Sequence, residues 1–246
     1  MQPNCRELVQ DLNELQRAKR EFDAALKKVE VSKQFAEVDG LQAEIIQRAN
    51  SLRERLMDPE TREQLANWSK IYWELFKIPI NESQIRIPRR TPEQKEEFTF
   101  LIVVAESMTP QRVFEKCVEL FSTTKWTEDS LNNITQSDRS ATSGSYAIWV
   151  SEKIETTDGG LDGGRSSSED KTHGITLEER MLLGIFYFAN TGEYLDARSL
   201  TLCYGSRYSD GRIPMVGQED GMFRIGRHNA IKRGARHHPN IRWVVA

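Results

Sequence analysis

The stretch Ser199 to Val216, SLTLCYGSRYSDGRIPMV, reads as strand, bend and strand. Leu200 to Tyr204 is a short run of β-compatible residues, and a second strand starts near Ile213. Between them Gly205-Ser206-Arg207-Tyr208-Ser209-Asp210-Gly211-Arg212 collects hydroxyls, two guanidiniums and a carboxylate in eight positions. Two readings of this loop stand side by side. In one, Ser206, Arg207, Tyr208 and Asp210 form a polar recognition surface. In the other, Gly205 and Gly211 make turns while Asp210 holds the loop through backbone bonds and a pair with Arg207 or Arg212.

Downstream, Ile213 to Gly217 and Met222 to Arg227 flank Gln218-Glu219-Asp220-Gly221, and Asp-Gly signals a hairpin turn. Ile241 to Val245 reads as one last strand, giving a small, mainly antiparallel C-terminal sheet. Upstream, Thr176-Leu177-Glu178-Glu179 is a capping box that opens a helix rich in apolar residues, which Gly192 can close. Such a helix belongs against a sheet, and its two glutamates read first as caps. Phe98 to Ala105, FTFLIVVA, is the clearest buried strand; Thr109-Pro110 caps a helix carrying Val113, Phe114, Cys117, Leu120 and Phe121. Tyr146 to Val150 is another short strand, after a polar loop from Ser122 to Ser145. The segment TTDGGLDGGRSSSED has nothing to bury; Asp158, Asp162, Glu169 and Asp170 match no complete calcium loop.

The N-terminal third is helical. Leu8, Leu12, Leu15, Phe22, Leu26 and Val29 fall on a heptad seam that Lys19 interrupts, and Val38-Asp39-Gly40 is expected to end that helix. Leu41, Ile45, Ala49, Leu52 and Leu56 mark a second helix. Asp58-Pro59-Glu60 starts a third, with Leu65, Trp68, Tyr72, Leu75 and Phe76 on its apolar face. Helical spacing makes Trp68, Tyr72 and Trp73 core residues before a binding stripe. The expected organisation is α+β: an antiparallel helical hairpin or coiled coil over 1–78, a proline-containing linker over 79–97, and a mixed α/β domain over 98–246. The first helix offers a route to a homo-oligomer.

With 246 residues, 38% hydrophobic, 29% charged and a net charge of −3, the chain belongs among globular proteins, and its surface as a whole is not built for nucleic acid. No apolar run is long enough to span a bilayer and the N-terminus lacks a signal-peptide layout, so a cytoplasmic location without membrane partners is expected. Cys5, Cys117 and Cys203 are odd in number and scattered, which suits reduced thiols. Charge is segregated only at the C-terminus. There Arg224, Arg227, Lys232, Arg233, Arg236 and Arg242 lie in a segment without Asp or Glu, a candidate phosphate-attracting face. Cys203, His228, His237 and His238 show no paired zinc-ligand spacing, and no metal or cofactor is expected. The nucleophile-elbow, P-loop, zinc-protease and dinucleotide patterns are absent. A hydrolase using Ser206 or Cys203 with His228 remains an alternative to a non-catalytic binding protein.

LDARSLTLCYGSRYSDGRIPMV, together with SYAIWV, ITLEERMLL and the closing NIRWVVA, resembles an uncharacterised group of bacterial proteins. Its members look like the variable target proteins of diversity-generating retroelements. The resemblance implies a C-type-lectin-like domain from about Phe98 onward, whose C-terminal segment tolerates diversification at solvent-facing positions and binds ligands, usually without catalysis. Carried onto this chain, the exposed face comprises Arg212, Met215, Gly217, Arg227, His228, Asn229, Arg236, His237, His238 and Asn240. Gly205, Ser206, Arg207, Asp210 and Gly211 form the scaffold beneath it.

Overall fold

The computed structural model describes residues 5–28, 35–151, 155–156, 172–195, 200–219, 221–228, 240–241 and 243–245. By contact the chain divides into two compact units, Met1–Glu63 and Gln64–Ala246. The division falls inside the third helix, whereas the sequence suggested the proline-containing stretch 79–97.

In the first unit α1 (Cys5–Lys28) packs beside α2 (Phe35–Leu56). Glu14 and Arg48 pair across them at 3.4 Å and sit symmetrically about the connection, as in an antiparallel hairpin. Gly40 does not end a helix: it lies within α2. A helical glycine costs only about 1 kcal/mol relative to alanine, too little to stop a helix by itself. Ala18 and Leu52 are buried, while Leu12, Ile46 and Leu56 are exposed. α3 (Pro59–Ile71) starts as its residues dictate, with Asp58 Oδ1 accepting from the Thr61 amide at 2.9 Å.

The second unit contains the later part of α3, which continues into a π-helical turn, Tyr72–Phe76. α4 (Pro92–Glu97) and β1 (Phe98–Val104) follow, then α5 (Pro110–Leu120), β2 (Thr123–Lys125), α6 (Leu131–Ile134), β3 (Thr135–Ser137), β4 (Tyr146–Ser151) and β5 (Glu155–Thr156). The chain continues through β6 (Thr172–Gly174), α7 (Leu177–Thr191), β7 (Leu200–Leu202), β8 (Ser206–Tyr208), β9 (Ile213–Glu219), β10 (Met222–His228), β11 (Asn240–Ile241) and β12 (Trp243–Val245). One sheet has the order β1-β4-β12-β6; the second runs β2-β10-β9-β7-β11-β5; β3 and β8 form a separate ribbon. The pairings β2–β10 and β7–β11 are parallel and the others antiparallel. The fold class is therefore mixed α/β with N-terminal helices, as the residue patterns imply.

Two polar stretches contain structure that their sequence did not announce. β2, α6 and β3 occupy the expected loop 122–145, and β8 lies inside the expected loop 205–212. Strands of three residues such as TTK, TQS and SRY have no readable alternation, and pairing with distant partners fixes them. The closing segment is also not one strand. Asn240–Ile241 pairs with β7 in the second sheet, and Trp243–Val245 pairs with β4 and β6 in the first.

β1 is an edge strand, a position that leaves one row of backbone groups without ladder partners. Side chains from α3 and its π-helical extension, spaced four apart, supply them. Gln64 donates to the Thr99 carbonyl at 2.8 Å and accepts from the Leu101 amide at 2.7 Å; Trp68 Nε1 donates to the Leu101 carbonyl at 2.7 Å. Tyr72 donates to the Val103 carbonyl at 2.8 Å and accepts from the Ala105 amide at 3.1 Å. Trp68 and Tyr72 are thus core residues, whereas Trp73 on the other side of the helix is 61% exposed. Tyr72→Phe removes one donor and one acceptor from a dry edge, so urea unfolding should show a loss of about 1–3 kcal/mol. Residues 79–97 also pack on this unit: Ile85 is buried, the Pro88 carbonyl accepts from Trp149 Nε1 at 3.0 Å, and the Arg90 guanidinium lies 3.4 Å from the Trp149 ring centroid.

α7 contacts β1 of the first sheet and β9 of the second, and every residue from Leu177 to Phe186 is buried. A helix enclosed on all sides must find partners for any charge it carries. Its first turn carries three: Glu178, Glu179 and Arg180.

Candidate functional site

Two neighbouring constellations surround the stretch 199–216: a buried polar cluster at the start of α7, and a more exposed face at the ends of β8, β9 and β10.

The capping box forms as the sequence implies. Thr176 Oγ1 accepts from the Glu179 amide at 3.3 Å, and Glu179 Oε2 accepts from the Thr176 amide at 2.8 Å. The glutamate also does more than cap. Arg139 donates to both its oxygens, at 2.7 and 2.8 Å, and Tyr146 donates to it at 3.0 Å, so a fully buried carboxylate has four donors. Arg139 reaches the Gly174 carbonyl as well, at 2.7 Å. Arg180 is also fully buried, and its Nε donates to Thr201 Oγ1 at 3.0 Å. Glu178, 2% exposed, accepts from the Ser137 hydroxyl at 3.0 Å. Burial, and then the neighbouring Glu179, push its carboxyl up to about 7. Nothing local in the sequence marks Arg139, Tyr146 or Ser137 as members of this cluster, since all three come from segments far from α7 in the chain.

The 205–212 bend is attached to this cluster. Gly205 is where two backbones meet: its amide donates to the Ile175 carbonyl at 3.0 Å, and a Cβ there would stand 2.4 Å from the Gly174 carbonyl oxygen. Ser206 is buried, accepts from the Leu177 amide at 2.9 Å and shares a 2.8 Å hydrogen bond with Ser137. Arg207 is exposed and donates to the carbonyls of Tyr204 and Ser206. Tyr208 is buried and donates to the Gly226 carbonyl at 3.3 Å. Asp210 accepts from the Arg212 amide at 3.0 Å, and Gly211, at φ 78°, completes the turn. These residues support the bend itself, with Asp210 holding it through the backbone.

Above the bend lies the exposed face. The other oxygen of Asp210 lies 3.4 Å from Arg227 Nη1 and 3.7 Å from Arg212 Nε. The Arg227 guanidinium also sits 4.1 Å from the ring centroid of Trp126, which meets Tyr208 edge-on at 5.3 Å. On the adjoining sheet surface Met215 is opposite Gly226 and Gly217 is opposite Arg224. Thr124, Trp126, Leu200, Met215, Arg224 and Gly226 line a groove of about 210 Å³ there. Trp126, the residue common to the groove and the Asp210 cluster, was not among the residues the sequence suggested. A lone tryptophan in a polar segment gives no periodicity to read.

The structure thus brings Arg212 and Arg227 together at Asp210, and places Met215 and Gly217 on the neighbouring strand. His228 ends β10 opposite Ile213, with burial lowering its pKa. Asn240 contributes a backbone position beside Thr201 and Thr156. Asn229, Arg236, His237 and His238 lie outside the described residues, as do Lys232, Arg233 and Arg242 of the basic segment and the acidic residues Asp158, Asp162, Glu169 and Asp170. Of the basic residues described, Arg224 pairs with Glu219 at 2.6 Å and Arg227 with Asp210, so carboxylates from outside the segment meet both charges.

The Ser206 hydroxyl is engaged by Leu177 and Ser137, and burial pushes the Cys203 thiol well above its ordinary value. Neither is hydrogen-bonded to His228 among the described residues. Among them there is likewise no group of three or more His, Cys, Asp or Glu placed to hold a metal ion, and no helix long and apolar enough to cross a membrane. Comparisons with protein-family models, curated proteins and solved structures find no match.

Proposed function

We propose that this protein is a non-catalytic ligand- or protein-binding protein, with a C-type-lectin-like domain of the retroelement-variable kind presenting the β9–β10 face and the segment after it. The observation that carries this reading is the convergence of Arg212 and Arg227 on Asp210 beside Trp126, next to the Met215 groove. Charged, aromatic and flexible apolar groups are there gathered beside a bend whose own backbone is fixed from below. Rigid support beneath adaptable side chains is what a recognition surface needs. The helical hairpin serves oligomerisation or docking in this reading, and its exposed Leu12, Ile46 and Leu56 are the residues available for it.

Panning a displayed random-peptide library against the full chain tests the binding face. Recovered peptides should lose about tenfold or more in affinity for the Arg227→Glu and Met215→Glu variants. Peptides indifferent to both changes would move the site elsewhere. Mixed-sequence DNA at low salt is the control for the competing nucleic-acid reading, which requires binding that weakens steeply as salt rises. The retroelement part has its own check: the neighbouring DNA should hold a reverse transcriptase and a near-copy of the 3′ end of this gene.

A further inference from the structure

Four strands align across the exposed face, and their register gives it relief. Thr124 on β2, Arg224 on β10, Gly217 on β9 and Leu200 on β7 form one cross-strand row. Two positions along, on the same face of the sheet, Gly226 stands opposite Met215. The Met215 side chain lies over this glycine: a Cβ there would stand 2.5 Å from its terminal methyl carbon. A flexible, polarizable side chain thus covers a strip of bare backbone, in a groove that Trp126 and Leu200 also line. Its volume, about 210 Å³, is below the roughly 300–1,000 Å³ of small-molecule pockets and suits one large side chain. Arg224, also in the lining, gives Nη1 to Glu219, while its Nε is buried with no acceptor among the described residues. A backbone carbonyl arriving with that side chain would supply one.

Beside the groove the charges do not balance. Arg212 and Arg227 both face Oδ2 of Asp210, at 3.7 and 3.4 Å. Charge-assisted bonds run to about 2.7–2.9 Å, so neither contact is closed. Among the described residues neither guanidinium has another acceptor. Two cations and one anion leave one positive charge over, next to an indole that also lines the groove.

We propose that the ligand of this face is an exposed peptide segment carrying an aromatic or long aliphatic side chain for the Met215 groove and an Asp or Glu for Arg212 and Arg227. The inference rests on the binding reading and names its ligand class. Trp126 belongs to both contacts, so the two anchors lie within about three positions of each other along an extended segment. The peptide carboxylate closes the guanidinium contacts that Asp210 leaves long, while Asp210 keeps the turn. A nucleic acid fits less well, because its phosphates would meet Asp210 and Glu219 standing among the arginines.

Peptides selected on the full chain from a random library should carry this pair of anchors. Changing the peptide carboxylate to its amide should weaken binding about fivefold to the wild type, and under about twofold to an Arg212→Gln, Arg227→Gln double variant. Asp210→Asn gives a result that misfolding cannot imitate. Asparagine keeps an oxygen for the Arg212 amide and removes the resident charge. The acidic peptide should therefore bind this variant about two- to threefold more tightly, and its amide form should not. Selected peptides that need Met215 and Arg227 but no carboxylate, or an equal loss in the double variant, overturn the ligand class and leave the binding face standing. Peptides indifferent to Met215→Glu and Arg227→Glu overturn both. Displacement of the bound peptide by mixed-sequence DNA overturns the ligand class in favour of a polyanion.

Discussion

Arg139→Met should destabilise the second unit by about 3–5 kcal/mol in urea unfolding at neutral pH, because it strands a fully buried carboxylate. Glu179 would keep the Thr176 amide and the Tyr146 hydroxyl but lose both charge-assisted bonds from the guanidinium. The Gly174 carbonyl would lose a donor at the same time. One feature separates this from an ordinary loss of packing. The deficit should be partly relieved by Glu179→Gln in the same chain, since glutamine still completes the capping box without bringing a charge. A deficit additive with Glu179→Gln would mean that the pair contributes shape alone.

The contrast between Glu179 and Arg139 shows what a single sequence can reveal here. The capping box, the Asp58–Pro59 start, the Thr109–Pro110 start and the antiparallel β9–β10 pair with Gly221 at its turn are local agreements between neighbouring residues, so the sequence shows them and the structure contains them. Phe98–Ala105 is legible because a run of β-branched and aromatic residues has one good environment. Arg139 is 40 positions from Glu179, Ser137 is 69 from Ser206, and Trp126 meets Arg227 across half the second unit. Each pairing depends on chain topology, and TQS, TTK and SRY carry no periodicity to announce that they are strands. Gly40 misleads for a related reason: glycine permits a left-handed stop without requiring one, and tertiary packing decides. The expected linker over 79–97 has the prolines of a connector, but Pro88 and Arg90 are used by Trp149, which no local pattern could show.

The other large effect is expected at Trp68, where one side chain fills the core and closes a sheet edge. Its ring stacks on Phe186 with centroids 4.8 Å apart and lies 5.6 Å from Tyr72, and it is fully buried. Trp68→Ala should cost about 3–5 kcal/mol through the cavity it leaves. Trp68→Phe keeps most of the ring against Phe186 but leaves the Leu101 carbonyl without its 2.7 Å donor, and should cost about 1–3 kcal/mol. The difference between the variants measures filling, and the phenylalanine value measures edge closure. If Trp68→Phe were as stable as the wild type, the Gln64, Trp68 and Tyr72 row would be packing alone. A measurable cost would instead mean that α3 replaces a missing strand at β1, supplying donors and acceptors where an open edge would otherwise present them to other chains. Increased concentration-dependent association of Trp68→Ala under native conditions would follow from that same exposure, and its absence would show that Gln64 and Tyr72 are enough to keep the edge closed.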